Sequence, residues 1–435
     1  MQALLSLEQS PPLRASLRFF LTAPLFGVLA GLLLLWSGPE LLASRWTPGA
    51  LALTHLITLG FMLQVMLGAL QQLLPVVAGA NMAHPLRVAA VVHACLALGT
   101  LALAGAFIGQ QSWLFATAAV LLGVGVLTFI TSAAWALRGI ASNHATVGGM
   151  KLALLGLGAT LALGVLLTVA LAGSLNLPLL SVTTVHLGWG LLGWAGVLVA
   201  AVAYVVVPMF QLTPPYPDWF TRHFARSTSA VLVLWTVAEL AGWTLPSTLL
   251  AAAATAAGAT LAATTLVVAR GSKRAKLDPT QQCWQLAMAC SLLASALWLA
   301  TRCIAPLDAW PQWPLLWGVL VLFGGFVSVM VGMLYKIVPF LVWLNLRNLG
   351  RGRVHAPNMK LVLAESDMRQ HLWLHGIALA LLLLAVVWPH WLVYPAAVAL
   401  VASQAWLLRN LLRALGVYRR HLVVIANSPP KVRHP

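Results

Sequence analysis

The chain has 435 residues, of which 61% are hydrophobic and only 8% are charged. A soluble globular protein carries roughly 25% charged residues, so this composition excludes that class and predicts a protein that crosses a membrane many times. The formal net charge of +17 does not indicate nucleic-acid binding, because the basic residues are spread over alternate loops and form no single basic patch.

Twelve apolar stretches follow one another along the chain, and each can cross a hydrocarbon core of about 30 Å as a helix. Their approximate limits are 17–37, 51–77, 86–109, 112–138, 149–173, 179–209, 224–245, 248–270, 283–304, 313–344, 371–388 and 391–415. Helices are expected because a bilayer offers no partners to open backbone groups, and the stretches lack the alternation of a membrane barrel. We predict an all-α polytopic membrane protein that forms one transmembrane domain over residues 1–435, with no soluble domain.

The basic residues lie mainly on one side of the predicted spans. They are Arg14, Arg18, Arg87, Arg138, Lys151, Arg222, Arg226, the groups within 270–276 and 347–369, and the tail from Arg409 to Arg433. Only Arg45 and Arg302 lie near the other side. The positive-inside rule therefore predicts that both termini are cytoplasmic, which requires an even number of spans. No cleavable signal pattern is expected, since Glu8 and two prolines precede the first apolar run.

Three predicted spans end in a similar way, at 68–75, 201–208 and 332–339, each with a proline as its last residue. Pro75, Pro208 and Pro339 are almost evenly spaced along the chain. This spacing predicts three copies of a unit of about four helices.

The three copies differ at one position before the proline. His55 precedes the first proline and His186 precedes the second by nearly the same length of chain, whereas Trp317 holds the corresponding place before the third. Two copies therefore keep an imidazole and the third has lost it.

Histidines inside a membrane are costly, so each is a functional candidate. Five of the twelve lie within or at the ends of spans: His55, His93, His186, His371 and His375. If the sets are spans 3 to 6, spans 7 to 10, and spans 11, 12, 1 and 2, then His93 shares a set with His186, and His375 shares one with His55. Opposed imidazoles among long apolar helices suit one or two b-type haems. The alternative for any one of them is an interhelical hydrogen bond.

His371 and His375 also form an i, i+4 pair on one helix face, a spacing that can chelate zinc or copper. His371 directly follows a charged run at 367–370. We therefore expect His371 at the membrane boundary and His375 inside the membrane.

Span 2 and its following loop resemble the second helix of subunit I of the haem-copper oxidases. A histidine, His55, begins the helix, and the loop from Ala78 to Pro85 is similar to that family's Gly-Ala-Pro-Asp-Met-Ala-Phe-Pro loop. Span 6, with His186 and Tyr204, is similar to the sixth helix of the C-type oxidases, and 332–339 resembles the end of their tenth. The resemblance covers most of the chain as a layout, and its specific motifs cover about a fifth. It implies twelve transmembrane helices in three quasi-equivalent four-helix sets.

The chain departs from that family where oxygen is reduced. The tenth helix of the oxidases carries two histidine ligands, and Trp317 and Val319 stand here instead. Their seventh helix supplies a histidine pair to copper, and the stretch 227–235 contains no histidine. We therefore expect no terminal oxidase, and a copper site is not supported by three histidines.

The chain also resembles the NnrS-like proteins of denitrifying bacteria, in its layout and its histidine-led helices. This resemblance implies a haem-b protein of the bacterial inner membrane, engaged in electron transfer or tied to nitric oxide, with a redox partner or a quinol. Within it, His55, His93, His186 and His375 are the candidate haem ligands.

Glu239 is the carboxylate that the sequence places well inside the membrane, and it is the candidate for a proton or ion relay. A neutral acid bonded to a backbone carbonyl is the competing interpretation. The alternative to a haem protein is a transporter, or a metal or haem assembly factor, built on the same bundle, in which Glu239 and the histidines line a path.

Overall fold

The structure is a computed structural model that describes residues 11–141, 144–173, 175–274, 276–350 and 354–428. The two chain ends, with Glu8 and Arg433, lie outside the described residues, so the predicted side of the termini stays a prediction. Throughout the described ranges the chain is helical and contains no β-strand.

Twelve long helices account for most of the described chain. They are α1 (Leu13–Ala43), α2 (Pro48–Ala78), α3 (Pro85–Gly109), α4 (Ser112–Ala136), α5 (Ala145–Leu171), α6 (Leu179–Gln211), α7 (Asp218–Leu240), α8 (Thr244–Arg270), α9 (Pro279–Cys303), α10 (Trp313–Gly350), α11 (Glu365–Val387) and α12 (Pro389–Ala426). Short helices at Ala305–Asp308 and Met359–Val362 lie in the connections.

Eleven of these helices, counted over the described residues, are long and apolar enough to cross a membrane. The chain is thus a polytopic helical membrane protein. The exception is α7, which has 23 residues but carries Asp218, Arg222 and Arg226 in its first half. Its first turn is held by an exposed ion pair between Arg222 and Asp218 at 3.6 Å.

Some helix ends differ from the predicted limits, because the helix does not follow the apolar stretch there. The seventh helix ends at Leu240 rather than 245, since Gly242 takes a left-handed conformation with φ of 72°. The eleventh begins at Glu365 rather than 371, so the loop before it is shorter than predicted.

The three repeated prolines lie inside their helices and do not end them. The helix α2 continues to Ala78, α6 continues to Gln211 and α10 continues to Gly350. A proline removes one backbone donor, but neighbouring groups in a membrane bundle compensate for it and the helix continues. The prolines therefore mark equivalent positions in the three helices and not their last residues.

Three long helices, α2, α6 and α10, form the inside of the bundle. Their most apolar windows are 67%, 61% and 56% buried, whereas those of α3, α4, α5, α8 and α9 are 28–44% buried. The window of α1 is also 56% buried, since α1 packs against both α2 and α12. The outer helices leave much of their surface for lipid, and the inner ones face protein.

Each inner helix contains one π-helical segment of eight residues, and the described part of the chain has no other. The segments are Leu56–Leu63, Trp189–Gly196 and Leu320–Val327. Each begins at the same distance before the repeated proline of its helix. This common position gives the threefold repeat a structural counterpart, and π segments occur frequently at functional sites.

The fifth residue of every π segment is glycine. A Cβ atom on Gly60 would lie 2.4 Å from the Phe26 ring, and one on Gly324 would lie 2.7 Å from the Cys290 sulfur. These contacts are too close for a side chain, so the two glycines allow neighbouring helices to pack directly on the π segments.

Helix contacts follow chain order and then close on themselves. Each helix packs against the next one along the chain, and α12 packs along α1. The inner helices α2 and α10 also touch each other. One end of the bundle carries most of the basic residues, and we call it the basic face; the end with Arg45 and Arg302 is the opposite face.

The basic face holds a partly buried cluster of charges. Lys336 of α10 contacts the Asp278 carboxylate at 2.7 Å, and Arg274 contacts it at 3.1 Å. Arg274 also donates to the Phe210 carbonyl near the end of α6 at 2.8 Å. The connection before α9 is thereby attached to both α6 and α10.

Candidate functional site

A cavity of about 1200 Å³ lies among the inner helices, in the half of the bundle towards the opposite face. It is larger than the roughly 300–1,000 Å³ of usual small-molecule pockets. Leucine and other apolar side chains make up most of its wall. The polar side chains that line it include His55, His186, Glu239, Arg45 and Arg302.

His55 is the eighth residue of α2 and directly precedes its π segment. Its Nδ1 atom lies 2.8 Å from the Leu51 carbonyl oxygen, and its ring packs on Phe107 with a centroid distance of 5.2 Å. Because a carbonyl only accepts, Nδ1 must carry the proton and donate it. The Nε2 atom of the neutral ring is then left with a free lone pair.

His186 is the eighth residue of α6 and has the same kind of partner. Its Nδ1 atom lies 3.1 Å from the Thr160 carbonyl oxygen of α5. Gly164, one turn further along α5, leaves room for the ring, since a Cβ atom there would lie 3.1 Å from Cε1 of His186. His186 thus also keeps an unprotonated Nε2.

The two imidazoles line the same cavity. Their helical registers differ, however. His186 and Trp317 each lie three residues before a π segment, and Leu53 holds that place in α2. His55 therefore shares the cavity with His186 without being its strict counterpart in the repeat.

His93 does not line the cavity. It lies in the half of α3 nearer the basic face, where its Nε2 is 2.8 Å from the Thr22 hydroxyl of α1. The ring meets Phe19 edge-on at 5.3 Å. The structure thus places His93 in a contact between α1 and α3 and does not bring it to His186.

His375 and His371 lie on α11, away from the cavity lining. The expectation of one buried and one interfacial histidine is corrected, since both side chains are fully buried in the bundle. The helix already begins at Glu365, and its first turns pack against α10 and α12. Nε2 of His375 is 2.8 Å from the Ser328 hydroxyl, and Nε2 of His371 is 3.3 Å from the Ser403 hydroxyl. The cavity that holds His55 therefore does not include His375.

Glu239 lines the cavity from the last turn of α7, next to the opposite face. Because α7 ends at Leu240 and not at 245, Glu239 lies nearer the end of its helix than the sequence predicted, and its depth in the membrane stays a prediction. The Ser247 hydroxyl donates to its Oε2, and Trp235 Nε1 donates to the same hydroxyl at 3.1 Å. The hydrogen-bond partner of Glu239 is thus the Ser247 hydroxyl and not a backbone carbonyl.

Two arginines line the cavity at its end near the opposite face. Arg302 is paired with Asp308 at 2.6 Å. The Arg45 guanidinium stacks on Trp46 at 4.5 Å and has no acidic partner within the described residues. This end of an otherwise apolar cavity is therefore suited to an anionic group.

Metal binding by side chains alone has little support. Within the described ranges, no group of three or more His, Cys, Asp or Glu side chains is placed to hold a metal ion. What the chain does offer in one cavity is two imidazole nitrogens and a cation at one end.

Sequence reasoning singled out His55 and His186 but missed Thr160, Gly164 and Arg45 as parts of the site. Thr160 acts through its backbone carbonyl, which no sequence pattern reveals. Arg45 was noticed only for topology, although an arginine on the side poor in basic residues was a usable signal. No protein-family model matches the chain, and no curated protein matches its sequence.

Proposed function

We propose that the cavity binds haem b through His55 and His186, and that the chain is a haem protein of electron transfer or of gas binding, with nitric oxide as a candidate gas. One observation carries this proposal: both imidazoles line one apolar cavity, and each has its Nδ1–H bonded to a backbone carbonyl. That hydrogen bond fixes the ring and leaves Nε2 free, as in most histidines that ligate metals.

The remaining lining fits the same group. The apolar walls match a macrocycle and exclude water, and Arg45 at the end of the cavity can pair with its carboxylates. Bound haem would supply one-electron chemistry and a place where a diatomic gas binds. The two histidines would orient the haem, the apolar walls would exclude water from it, and Arg45 would pair with its carboxylates near the opposite face.

Electrons would come from a redox partner or a quinol. The proposal keeps the layout of the haem-copper oxidases and the NnrS-like proteins, with twelve membrane helices in three related sets, in the bacterial inner membrane. The π segments repeated in α2, α6 and α10 support that layout. Trp317 in place of a third imidazole supports a function other than oxygen reduction.

The test is a redox-difference spectrum of the purified chain with haem and metal quantitation. We expect a Soret band that is lost or strongly shifted in His55→Ala and in His186→Ala. His93→Ala is the matched control, since this imidazole is also half-buried and hydrogen-bonded but lies outside the cavity lining. His186→Met should keep haem at an altered reduction potential.

Two results contradict the proposal. One is a chain that remains colourless when expressed with an ample haem supply. The other is a band that depends on His93 and His375 and not on the two cavity histidines. One haem per chain indicates that both histidines serve a single iron, and two indicate one histidine for each.

A second function, transport or cofactor assembly through the same cavity, is favoured by Glu239. This carboxylate lines the cavity near the opposite face, where a cation would enter. Colourless protein, with metal or haem uptake into vesicles that is lost in Glu239→Gln, would support this function instead. Metal or haem uptake that persists in Glu239→Gln would exclude a role of Glu239 in transport.

A further inference from the structure

A groove with polar side chains lies on the outer surface of the bundle, between α1 and α3, in the half nearer the basic face. We call it the outer groove. None of its members is fully buried, and none lines the cavity. They are Arg18, Thr22 and Leu25 of α1 and Arg87, Ala90, His93 and Ala97 of α3.

The centre of the outer groove is a histidine that the protein pairs on one side only. Nε2 of His93 is 2.8 Å from the Thr22 hydroxyl, and Phe19 meets the ring edge-on at 5.3 Å. Several threonines, among them Thr54 and Thr58, donate to the carbonyl one helical turn earlier. Thr22 makes no such bond among the described residues, so its hydroxyl donates to Nε2. The one proton of the neutral imidazole is then on Nδ1.

The Nδ1–H group of His93 has no acceptor in the part of the chain that the structure describes. The atom is not buried, since the ring is half-exposed at the outer surface. Acyl chains offer no hydrogen-bond acceptor, and a polar group that faces them unpaired is costly. An acceptor carried by a bound lipid would remove this cost.

Two arginines lie nearer the basic face than the histidine. Arg18 is four residues before Thr22 and Arg87 is six residues before His93, which corresponds to about 6 Å and about 9 Å along the helices. Neither arginine forms an ion pair with a described residue. Neither helix has a carboxylate in this half. The outer groove therefore presents two positive charges without an acidic partner.

Apolar side chains continue the outer groove away from the basic face. Leu25 and Leu29 follow the threonine at helical spacing and are 46% and 38% exposed. On α3 the residues one turn before and one turn after the histidine are Ala90 and Ala97, whose short side chains leave room for an acyl chain. From the basic face inwards, the order is positive charge, hydrogen-bond donor and apolar surface. A phospholipid has the complementary order of phosphate, ester carbonyls and acyl chains.

We propose that the outer groove binds one anionic phospholipid. Its phosphate pairs with Arg18 and Arg87, one ester carbonyl accepts from Nδ1–H of His93, and an acyl chain lies along Leu25 and Ala97. A quinone could accept from the histidine but would leave both arginines without an anion, so the charges favour the phospholipid. This inference does not depend on haem in the cavity.

Native mass spectrometry of the intact chain, titrated with phosphatidylglycerol, tests for the site by counting bound lipids. We expect one site that binds phosphatidylglycerol at least about fivefold more tightly than phosphatidylcholine. Arg18→Gln and Arg87→Gln should each weaken this site about fivefold, since each removes one cation near the anionic headgroup. Arg226→Gln is the matched control, because this arginine is also exposed near the basic face but belongs to α7. It should leave the affinity unchanged.

The role of His93 is tested with ether-linked phosphatidylglycerol, which has no ester carbonyl. The unaltered chain should bind the ester-linked lipid about 2- to 10-fold more tightly, the range expected for one neutral hydrogen bond. His93→Phe keeps an aromatic ring but has no N–H group, so it should bind the two lipids equally. Each chain serves as its own reference, so a general loss of stability in the variant cannot produce this pattern.

Three results would each overturn the proposal. They are equal binding of phosphatidylcholine and phosphatidylglycerol, equal weakening by Arg226→Gln and Arg18→Gln, and equal binding of the ester and ether lipids by the unaltered chain. Displacement of phosphatidylglycerol by a short-chain ubiquinone whose own binding is insensitive to Arg18→Gln would also overturn it, in favour of a quinone site. A colourless chain that keeps the lipid site contradicts the haem proposal alone.

Discussion

At the scale of single residues, the arrangement of His186 depends on the absence of a side chain at Gly164. The Thr160 carbonyl holds Nδ1 of the ring, and Gly164 leaves space beside Cε1. Ring orientation is what a ligand role needs, and a backbone carbonyl is a common means of fixing it. The glycine is thus as much a part of the site as the histidine.

We predict that Gly164→Val displaces the His186 ring and reduces bound haem several-fold, since even one added carbon would lie 3.1 Å from Cε1. Gly158→Val on the same helix is the control, because its Cβ would meet only Ile130 at 4.0 Å. Haem per chain and the Soret position are the measurements. Equal haem content in the two variants would show that haem binding does not depend on the position of the His186 ring beside Gly164.

Residue identity alone identified candidate histidines but could not predict which of them line the same cavity. Histidines in apolar stretches stand out in a sequence, and this selected His55 and His186. The same criterion selected His93 and His375, which the structure places in contacts with hydroxyl groups away from the cavity lining. The difference depends on the rotation of each helix about its axis, which packing of neighbouring helices decides.

At the scale of elements, the apolar stretches predicted the helices well and their polar ends poorly. The helix α3 begins within one residue of its predicted start, because its apolar run starts at Pro85. The helix α11 begins six residues early, because Glu365 and Asp367 in its first turn favour a helix start. Hydropathy detects only the part of a helix that lies in lipid.

The π segments could not be predicted from hydropathy, since they change the hydrogen-bonding pattern without changing polarity. Only their common glycine hints at them. Gly60 and Gly324 each face a side chain from an adjacent helix at less than 3 Å from the expected Cβ position. The spacing of the prolines predicted the repeat, but only the backbone hydrogen bonds of the structure show that each copy contains a π segment.

The connection before α9 provides a prediction for pH. Burial raises the pKa of Asp278, but hydrogen bonds from Lys336 and Thr280, the Lys336 charge and the Gln281 amide together lower it by more, so the pKa lies below its ordinary value. A carboxyl with a lowered pKa stabilises the fold above its unfolded pKa of about 4. That stability is lost as the pH falls through the folded pKa.

We therefore predict that Asp278→Asn lowers stability at neutral pH by about 1.5–3 kcal/mol, the usual contribution of a hydrogen bond to a charged group, and by progressively less below about pH 4. Thermal unfolding of the detergent-solubilised chain between pH 3 and 7 measures this. Asp218→Asn is the control, since its side chain is 87% exposed and should contribute little at any pH. A pH-independent difference for Asp278→Asn would contradict the ion-pair explanation.

At the scale of the whole molecule, the inner helices α2, α6 and α10 bound one apolar cavity. Each contributes residues of its π segment to the lining, and α2 and α10 also contact each other. The three related helices of the chain thus meet at one central site.

The topology of the whole molecule depends on whether α7 crosses the membrane. Its 23 residues suffice for about 30 Å of hydrocarbon, but charged residues occupy its first half. If α7 spans the membrane, the connections at 212–217 and 241–243 lie on opposite sides and the termini share a side. If it lies on the surface, the two connections share a side.

We predict that α7 spans, because the polar residues Asp218, Arg222 and Arg226 all lie in the half nearer the basic face, where long side chains reach the interface. Alkaline phosphatase fused after residue 242 should be active, and phosphatase fused after residue 214 should be inactive. A fusion after residue 111, between α3 and α4, is the positive control for the opposite face. Inactive phosphatase at both 214 and 242 would remove α7 from the spans and would place the two termini on different sides.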